Sequence, residues 1–379
     1  MKIKLKDKPE HIALIKAMGS NDEDTSREAM KIFANLVGPL ARRVLDETNV
    51  VDSLYDQLNV GEFEPRTIPL DDYHDIDSPD HVRVTYSSRP GSLAQSQLTG
   101  ADDVPFATFW ITAAISFFRR YLRAGRLAHA EKGIQKMINE VRYKLKIQGI
   151  QPILDMLGNV QSNDKFHVIR SENANQLVLH DFNRLQTLAA RIVTSQFGGT
   201  PDGSVGRGVD TLLMSPEMVQ EIRAIAYEPM NTRAGSVGAS ETSNTSLAAP
   251  ESLRQAVYGA AGIPSIYGTT IIQLNEMGVG QEFNTIFDTL SGSNAFEGHG
   301  GSGTAAFNGA SEELVLGIAR NVGTNGFLKI NIQDSESGNT FNARPDNQFV
   351  EREGKVGMYG TSEQGYIAVE SRNVFGLAV

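Results

Sequence analysis

Residues Tyr121 to Leu157 read YLRAGRLAHAEKGIQKMINEVRYKLKIQGIQPILDML. Leu127, Ala130, Ile134, Met137, Val141 and Leu145 recur every three or four residues, and Ile150, Ile153 and Leu157 continue the series. That period draws one apolar stripe along a helix much longer than the three or four turns of an average globular one. Bases stand between the apolar positions. From Arg119 to Lys146 there are nine (Arg119, Arg120, Arg123, Arg126, Lys132, Lys136, Arg142, Lys144, Lys146) against Glu131 and Glu140, a net +7. One face is therefore apolar and another positive. Gly133 and Gly149 weaken the helix locally, and Pro152 is expected to kink or break it. Such a helix is a structural spine.

The segment before it has the opposite sign. Glu62 to Val104 holds nine acids, with Asp71, Asp72, Asp75, Asp77 and Asp80 close together, and three bases (Arg66, Arg83, Arg89), a net −6. Phe63 to Leu70 and His81 to Tyr86 (HVRVTY) alternate as strands do, SSRPGSLAQSQLTGADD is a polar tip, and Val104 to Phe118 (VPFATFWITAAISFF) returns as an apolar run. A hairpin this long and acidic has too little apolar surface to bury itself, so it is expected to lie against a partner. Adjacent blocks of opposite charge suit contact with a neighbouring copy. The first 60 residues read as an arm that packs on another element. MKIKLKDK alternates as an extended segment, one helix spans Ser26 to Val37 and stops at Gly38, and a second opens at Pro39.

After the spine, α and β signals alternate. Asp181 caps a helix carrying Phe182, Leu185, Leu188, Ala189, Ile192 and Val193, closed by Gly198-Gly199. Val209 to Met214 (VDTLLM) is a short buried strand running into Ser215-Pro216-Glu217, a cap with proline in the first turn, and a helix from Met218 to Ile225. Asn231 to Ala249 and Leu290 to Gly309 are polar, Gly- and Ser-rich surface loops, GIPSIYGTTII (262–272) is turn and strand, and the last forty residues alternate strands with turns.

Composition closes off several chemistries. The chain of 379 residues has a net charge of −10 and no cysteine, which excludes disulfides, thiol catalysis and thiolate zinc sites and fits a reducing compartment. No apolar run approaches the roughly 18 residues of a membrane span, and the N-terminus lacks the apolar core of a secretory signal. An acidic balance argues against a surface that clings to nucleic acid everywhere, while a local basic face stays open. There is no G-x-x-x-x-G-K-[ST] and no G-x-S-x-G. The glycine clusters GGTPDGSVGRG and GHGGSGTAAFNG read as flexible loops, without the strand-to-helix context that cradles phosphate. The seven histidines, at 11, 74, 81, 129, 167, 180 and 299, are scattered and never at metal-ligand spacing. His180-Asp181 is read as a helix cap rather than an acid–base pair, and DDYHDIDSPD as a solvated acidic hairpin rather than a cation loop. No catalytic, cofactor-binding or metal residue is assigned, and no enzyme activity is expected. The positive face of Arg119 to Lys146 has three readings: an ordinary solvated face, a phosphate-facing surface, or the seat of a neighbour's acidic hairpin.

The order of these parts resembles the major capsid proteins of tailed bacteriophages with the Hong Kong 97-type fold. Pro105 to Phe118 followed by Tyr121 to Leu157 is similar to that family's return strand and spine helix. VDTLLMSPEMVQEI (209–222) is similar to its A-domain strand and helix, and GIPSIYGTTI (262–271) to its later strand. DNQFVEREGKVGMYGTSEQGYIAVESRNVFGLAV (346–379) resembles its paired terminal strands. The resemblance implies an α+β fold with an N-terminal arm (1–60), an E-loop (61–104), a P-domain (105–165 and 335–379, spine helix 121–157) and an A-domain (166–334). It implies pentamers and hexamers closing into an icosahedral shell around double-stranded DNA touched without sequence preference. The partners it implies are further copies of the chain, with scaffolding, portal and decoration proteins. Assembly would take place in the bacterial cytoplasm, the product would be a virion capsid, and no membrane would be involved. Some members cross-link an E-loop lysine to an asparagine next door; here Glu62 to Val104 contains no lysine. With about 60 residues before the hairpin, no large cleaved scaffolding segment is expected, and any scaffold would be a separate protein. An encapsulin nanocompartment, which has the same fold and encloses cargo enzymes, is the alternative; an α/β enzyme or binding protein with a cryptic site is the alternative of another class.

Overall fold

The structure, a computed structural model, describes residues 9–48, 50–69, 103–159, 161–162, 165–195, 208–225, 268–320, 326–333, 342–346, 354–369 and 371–379. The arm segment MKIKLKDK, the acidic hairpin beyond residue 69, the 231–249 loop and most of GIPSIYGTTII lie outside these residues. The chain forms two compact units: 1–69, 103–152 and 327–367 make the first, and 70–102, 153–326 and 368–379 the second.

The helices are α1 (Pro9–Met18), α2 (Glu23–Thr48), α3 (Arg119–Arg123), α4 (Leu127–Asn159), α5 (Leu179–Ser195), α6 (Pro216–Ile225) and α7 (Glu282–Ser291). The strands are β1 (Asp56–Gly61), β2 (Thr67–Pro69), β3 (Asp103–Pro105), β4 (Phe109–Phe118), β5 (Gln161–Ser162), β6 (Lys165–Phe166), β7 (Val168–Arg170), β8 (Thr211–Met214), β9 (Thr270–Gln273), β10 (Ala295–Glu297), β11 (Thr304–Ala306), β12 (Leu314–Ile318), β13 (Phe327–Gln333), β14 (Asn342–Asp346), β15 (Lys355–Ala368) and β16 (Val374–Ala378).

In the first unit the sheet runs β1-β13-β15-β14, and β4 pairs with β15. β1 lies parallel to β13 from Asp56 opposite Leu328 to Gly61 opposite Gln333. β4 runs antiparallel to β15 over ten pairs, from Phe118 opposite Lys355 to Phe109 opposite Gln364. The spine helix is present, with Ala130, Ile134, Met137, Val141, Leu145 and Ile150 on its buried face. It starts six residues later than the sequence suggests. Gly125, at φ +65°, ends α3 in a left-handed turn. There the Gly125 N–H meets the Leu122 carbonyl at 2.8 Å and the Arg126 N–H meets the Tyr121 carbonyl at 3.4 Å, the crossed pair of a Schellman stop. Pro152 sits inside α4 without ending it. Gly133 marks close packing: a Cβ there would stand 2.6 Å from Phe117 Cε1 and 2.7 Å from Ile115 Cδ1, so β4 approaches α4 where a side chain is missing.

The two helices expected around Gly38 and Pro39 are one helix, α2. Proline removes one i→i−4 bond. The buried face of Met30, Phe33, Ala34, Val37 and Ala41 crosses it, so packing outweighs the break. Helix α1 packs on α2 and α3, and α2 also packs on β14.

In the second unit a five-stranded mixed sheet, β7-β16-β12-β8-β9, is covered by α5 and α6. Phe182, Leu185 and Ile192 of α5, with Met218, Val219 and Ile222 of α6, meet Leu212, Val315, Phe375 and Leu377 of the strands. β8 and its helix form as read: all four residues of β8 are buried, and Ser215 Oγ accepts the Met218 N–H at 3.0 Å. The terminal strands do not pair with each other: β15 pairs with β4 and β14, whereas β16 joins β7 and β12. A continuous apolar ending identifies strands without saying which sheet each one joins.

Candidate assembly surface

Strand β4 alternates along its length. Phe109, Ile111, Ala113, Ile115 and Phe117 turn inward, while Trp110, Thr112, Ala114, Ser116 and Phe118 are exposed. Trp110 is 65% and Phe118 47% exposed, so a strand that sequence reads as uniformly apolar has a wet face with two large rings on it. Isolated exposed apolar residues are ordinary; a Trp and a Phe on one outward sheet face suit contact with another surface.

Beside this strand lies a groove of about 530 Å³ between β4 and α4. Ile111, Ala113, Ile115, Met137 and Val141 form its apolar part, and Lys136, Glu140 and Lys144 stand at intervals of four along one helix face. The basic block divides here. Arg123 is spent within the unit, its Nε donating to the Gly19 carbonyl at 2.6 Å and its guanidinium reaching Asn21. Arg119, Arg142 and Lys146 are half-buried, while Arg120, Arg126, Lys132, Lys136 and Lys144 are exposed. The positive face read from sequence is therefore narrower than nine residues.

The hairpin's root is fixed within the same unit. β2 pairs with β3, Thr67 opposite Pro105. Arg66 pairs with Glu363 Oε1 at 2.8 Å and donates to Thr108 Oγ1 at 2.8 Å, and Thr108 donates to Glu363 at 2.5 Å. Glu363 is buried and lies opposite Trp110, so this clasp ties the hairpin base to β15 next to the exposed ring. The Asp residues from 71 to 80 lie outside the described residues.

Deeper in the first unit, Lys329 of β13 meets Asp52 at 2.6 Å, both side chains 3% exposed or less. Tyr366 Oη donates to the other Asp52 oxygen at 2.8 Å, and Tyr55 donates to the Gly149 carbonyl. Burial, then the Asp52 charge, pushes both tyrosine hydroxyls far above their ordinary range, so both stay protonated donors. This cluster ties the chain before β1 to β13 and β15. It is a strut.

The second unit has a comparable strut. Arg170, 1% exposed, grips Glu312 with Nε at 2.9 Å and Nη2 at 3.0 Å, and donates to the carbonyls of Ala305 at 3.0 Å and Ala306 at 2.6 Å. The Gly-rich stretch 290–309 is consequently a hairpin, β10–β11, and not a featureless loop. Asp181 does not precede its helix as the sequence suggests: α5 starts at Leu179, and Asp181 lies inside the first turn, fully buried, with its carboxylate accepting N–H bonds from Glu172 at 2.9 Å and, back across the helix start, from Val178 at 3.1 Å. His180 is exposed, in a groove of about 430 Å³ with Arg184 and Glu297, which pair at 2.7 Å. His167 is buried against Phe375 and its pKa is lowered, chiefly by burial. Among the described residues, no group of three or more His, Asp or Glu side chains could hold a metal ion.

Glu313 escaped the sequence reading. It is 4% exposed, Oε1 has no partner, and burial raises its pKa to about 7. Hydrogen bonds from Ser215 hold it down in part, and the charges of Glu217 and Glu221 push it up. A single Glu before an apolar strand carries no local signal of this.

No protein-family model matches the chain, and no curated protein matches it. Its fold does match solved structures. The capsid of cyanophage P-SCSP1u superposes with a TM-score of 0.50 at 11% identity, covering 87% of this chain and 88% of that one. The mature capsid of bacteriophage PhiM1 gives 0.50 at 9% identity, covering 87% and 86%. An encapsulin complex from Synechococcus elongatus gives 0.44 at 8% identity, covering 87% and 86%. At such identities the likeness speaks for the fold alone, and on it this protein has the α+β Hong Kong 97-type capsid fold.

Proposed function

We propose that the chain is the major capsid protein of a tailed double-stranded DNA bacteriophage. Copies assemble as pentamers and hexamers into an icosahedral shell around the genome. Residues 1–60 act as the arm, 61–104 as the E-loop, 105–165 with 335–379 as the P-domain and 166–334 as the A-domain. The observation that carries the reading beyond the fold is strand β4, open to contact on both faces: Trp110 and Phe118 are exposed on one, and a groove flanked by Lys136 and Lys144 lies against the residues of the other. The chain supplies its own complement, the stretch 62–104 with net charge −6. An acidic hairpin from a second copy, laid along that groove, covers apolar surface and pairs charge at once. Closed shells reuse such surfaces in slightly different environments.

Sedimentation velocity with negative-stain imaging of every fast fraction tests this. Closed shells or discrete pentamers and hexamers are expected, and a compact monomer at all concentrations refutes the reading. Shells whose absorbance ratio shows protein cargo in place of nucleic acid assign the particle to the encapsulin class. Reversing Asp71, Asp72, Asp75 and Asp77 to lysine is expected to abolish assembly; normal shells from that variant remove the hairpin from the mechanism.

A further inference from the structure

Four separate elements bring cations together at the start of the spine helix. Phe118 and Tyr121 stand 6.2 Å apart, edge to face. The Arg120 guanidinium lies 4.8 Å from the Tyr121 ring and 5.7 Å from the Phe118 ring, and its Nη2 donates to Tyr121 Oη at 2.9 Å. Arg126, from the α3–α4 turn, covers Tyr121 at 5.8 Å, and the Lys355 ammonium of β15 is 5.5 Å from Phe118. Exposed Lys16 of α1 crosses Gly125 in the same turn, its Cε 3.0 Å from where a Cβ would stand.

Like charges gathered this way repel one another, and a solvated surface ordinarily intersperses them with carboxylates. Among the described residues, neither Arg120 nor Arg126 forms an ion pair with a carboxylate. Both are exposed, yet ring contacts hold them in place. A guanidinium already ordered on an aromatic face loses less freedom when it meets an anion, and its fork fits phosphate. Apolar lining and a Lys–Glu–Lys edge suit the β4–α4 groove to a polypeptide. The cluster at residue 118 instead offers cations and half-exposed ring faces. In a chain of net charge −10 such a concentration marks the place where a polyanion can approach.

We propose that Arg120, Arg126 and Lys355, held against Phe118 and Tyr121, form a phosphate-binding patch for the backbone of nucleic acid. It neutralises phosphates without reading bases. The inference deepens the shell reading by naming the surface that meets the packaged strand, and it rests on that reading for the source of the nucleic acid.

The test is fluorescence anisotropy of a labelled 30-base-pair duplex of arbitrary sequence with the full-length chain, from 50 to 200 mM NaCl. Three phosphate contacts predict an affinity loss of about 40-fold across that range. In Arg120→Ala/Arg126→Ala two contacts are gone and the loss shrinks to about 3-fold. Circular dichroism of that variant is expected to match wild type, and Lys136→Glu/Lys144→Glu is expected to keep the wild-type salt slope. No duplex binding at 50 mM, an unchanged slope in the double arginine variant, or poly-glutamate bound as tightly through the same arginines overturns the proposal. Assembly is scored separately by sedimentation: lost shells with intact duplex binding count against the shell reading and leave the patch standing.

Discussion

Replacing Glu313 by glutamine should remove a pH-dependent penalty, so that the variant gains stability relative to wild type as pH rises from acid to above neutral. Glu313 is buried beside Ser215 at the start of α6, with one oxygen unpartnered, and its pKa stands at about 7 against 4.5 in the open chain. A raised carboxylate pKa means the folded state holds a proton that the unfolded state has released. Stability therefore falls as pH rises from about 4.5 to about 7 and is level above that. The penalty grows from less than about 1 kcal/mol at pH 5 to about 3 kcal/mol at pH 8. The substituted amide can still accept from Ser215 but leaves a buried N–H₂ group, a cost that does not vary with pH. The diagnostic quantity is thus how the difference between variant and wild type changes with pH. Relative to wild type, the variant's melting temperature should rise by about 3 °C between pH 5 and pH 8. Differential scanning fluorimetry on unassembled protein reads it directly. A difference that stays constant across that range refutes the argument that Glu313 is charged at the expense of the fold.

Three further outcomes follow from packing. Lys329→Met leaves Asp52 buried and uncompensated and should cost about 3–5 kcal/mol, whereas Asp52→Leu/Lys329→Met should recover much of that in urea unfolding. Gly133→Ala drives a methyl into Phe117 and Ile115 and should cost about 1–3 kcal/mol, seen as a lower urea midpoint at unchanged slope. Arg170→Lys keeps the charge but loses the fork that holds Glu312 and two carbonyls. Hydrogen exchange of residues 295–306 should then accelerate about tenfold or more, with the rest of the β12–β16 sheet protected.

What sequence conveyed well was local. The stripe from Ala130 to Leu157 repeats with the helix, so it can be read without knowing its partner, and Ser215-Pro216 announces a helix start by chemistry confined to four residues. Breaks were harder, because they depend on balance. Gly125 stops a helix, but Gly133 only admits Phe117, and Pro39 is overruled by a buried face that continues past it. The Gly-rich stretch 290–309 reads as a loop because the group that orders it, Arg170, is more than a hundred residues away in sequence. Asp52 and Lys329 are separated by 277 positions and likewise carry no local signature of their pairing.

Charge was legible only in aggregate, and this bears directly on the surfaces proposed for assembly and for phosphate. A block of nine bases at 119–146 looks like one face. Yet a helix turns about 100° per residue, and the break at Gly125 re-aims everything after it. Some of these bases are consequently half-buried or tied to the α1–α2 turn, some flank the β4–α4 groove, and two are ordered on Tyr121. The last two placements suit two of the readings that sequence left open, the seat for a neighbour's acidic hairpin and a phosphate surface, whereas the half-buried and tied bases depart from the third, an ordinary solvated face. The bases assigned to the two surfaces do not overlap, although Phe118 stands in both. Neutralising Lys136 and Lys144 should therefore affect assembly and spare duplex binding, while removing Arg120 and Arg126 should do the reverse. A variant pair that failed in both assays equally would mean the basic block acts as one undivided field after all.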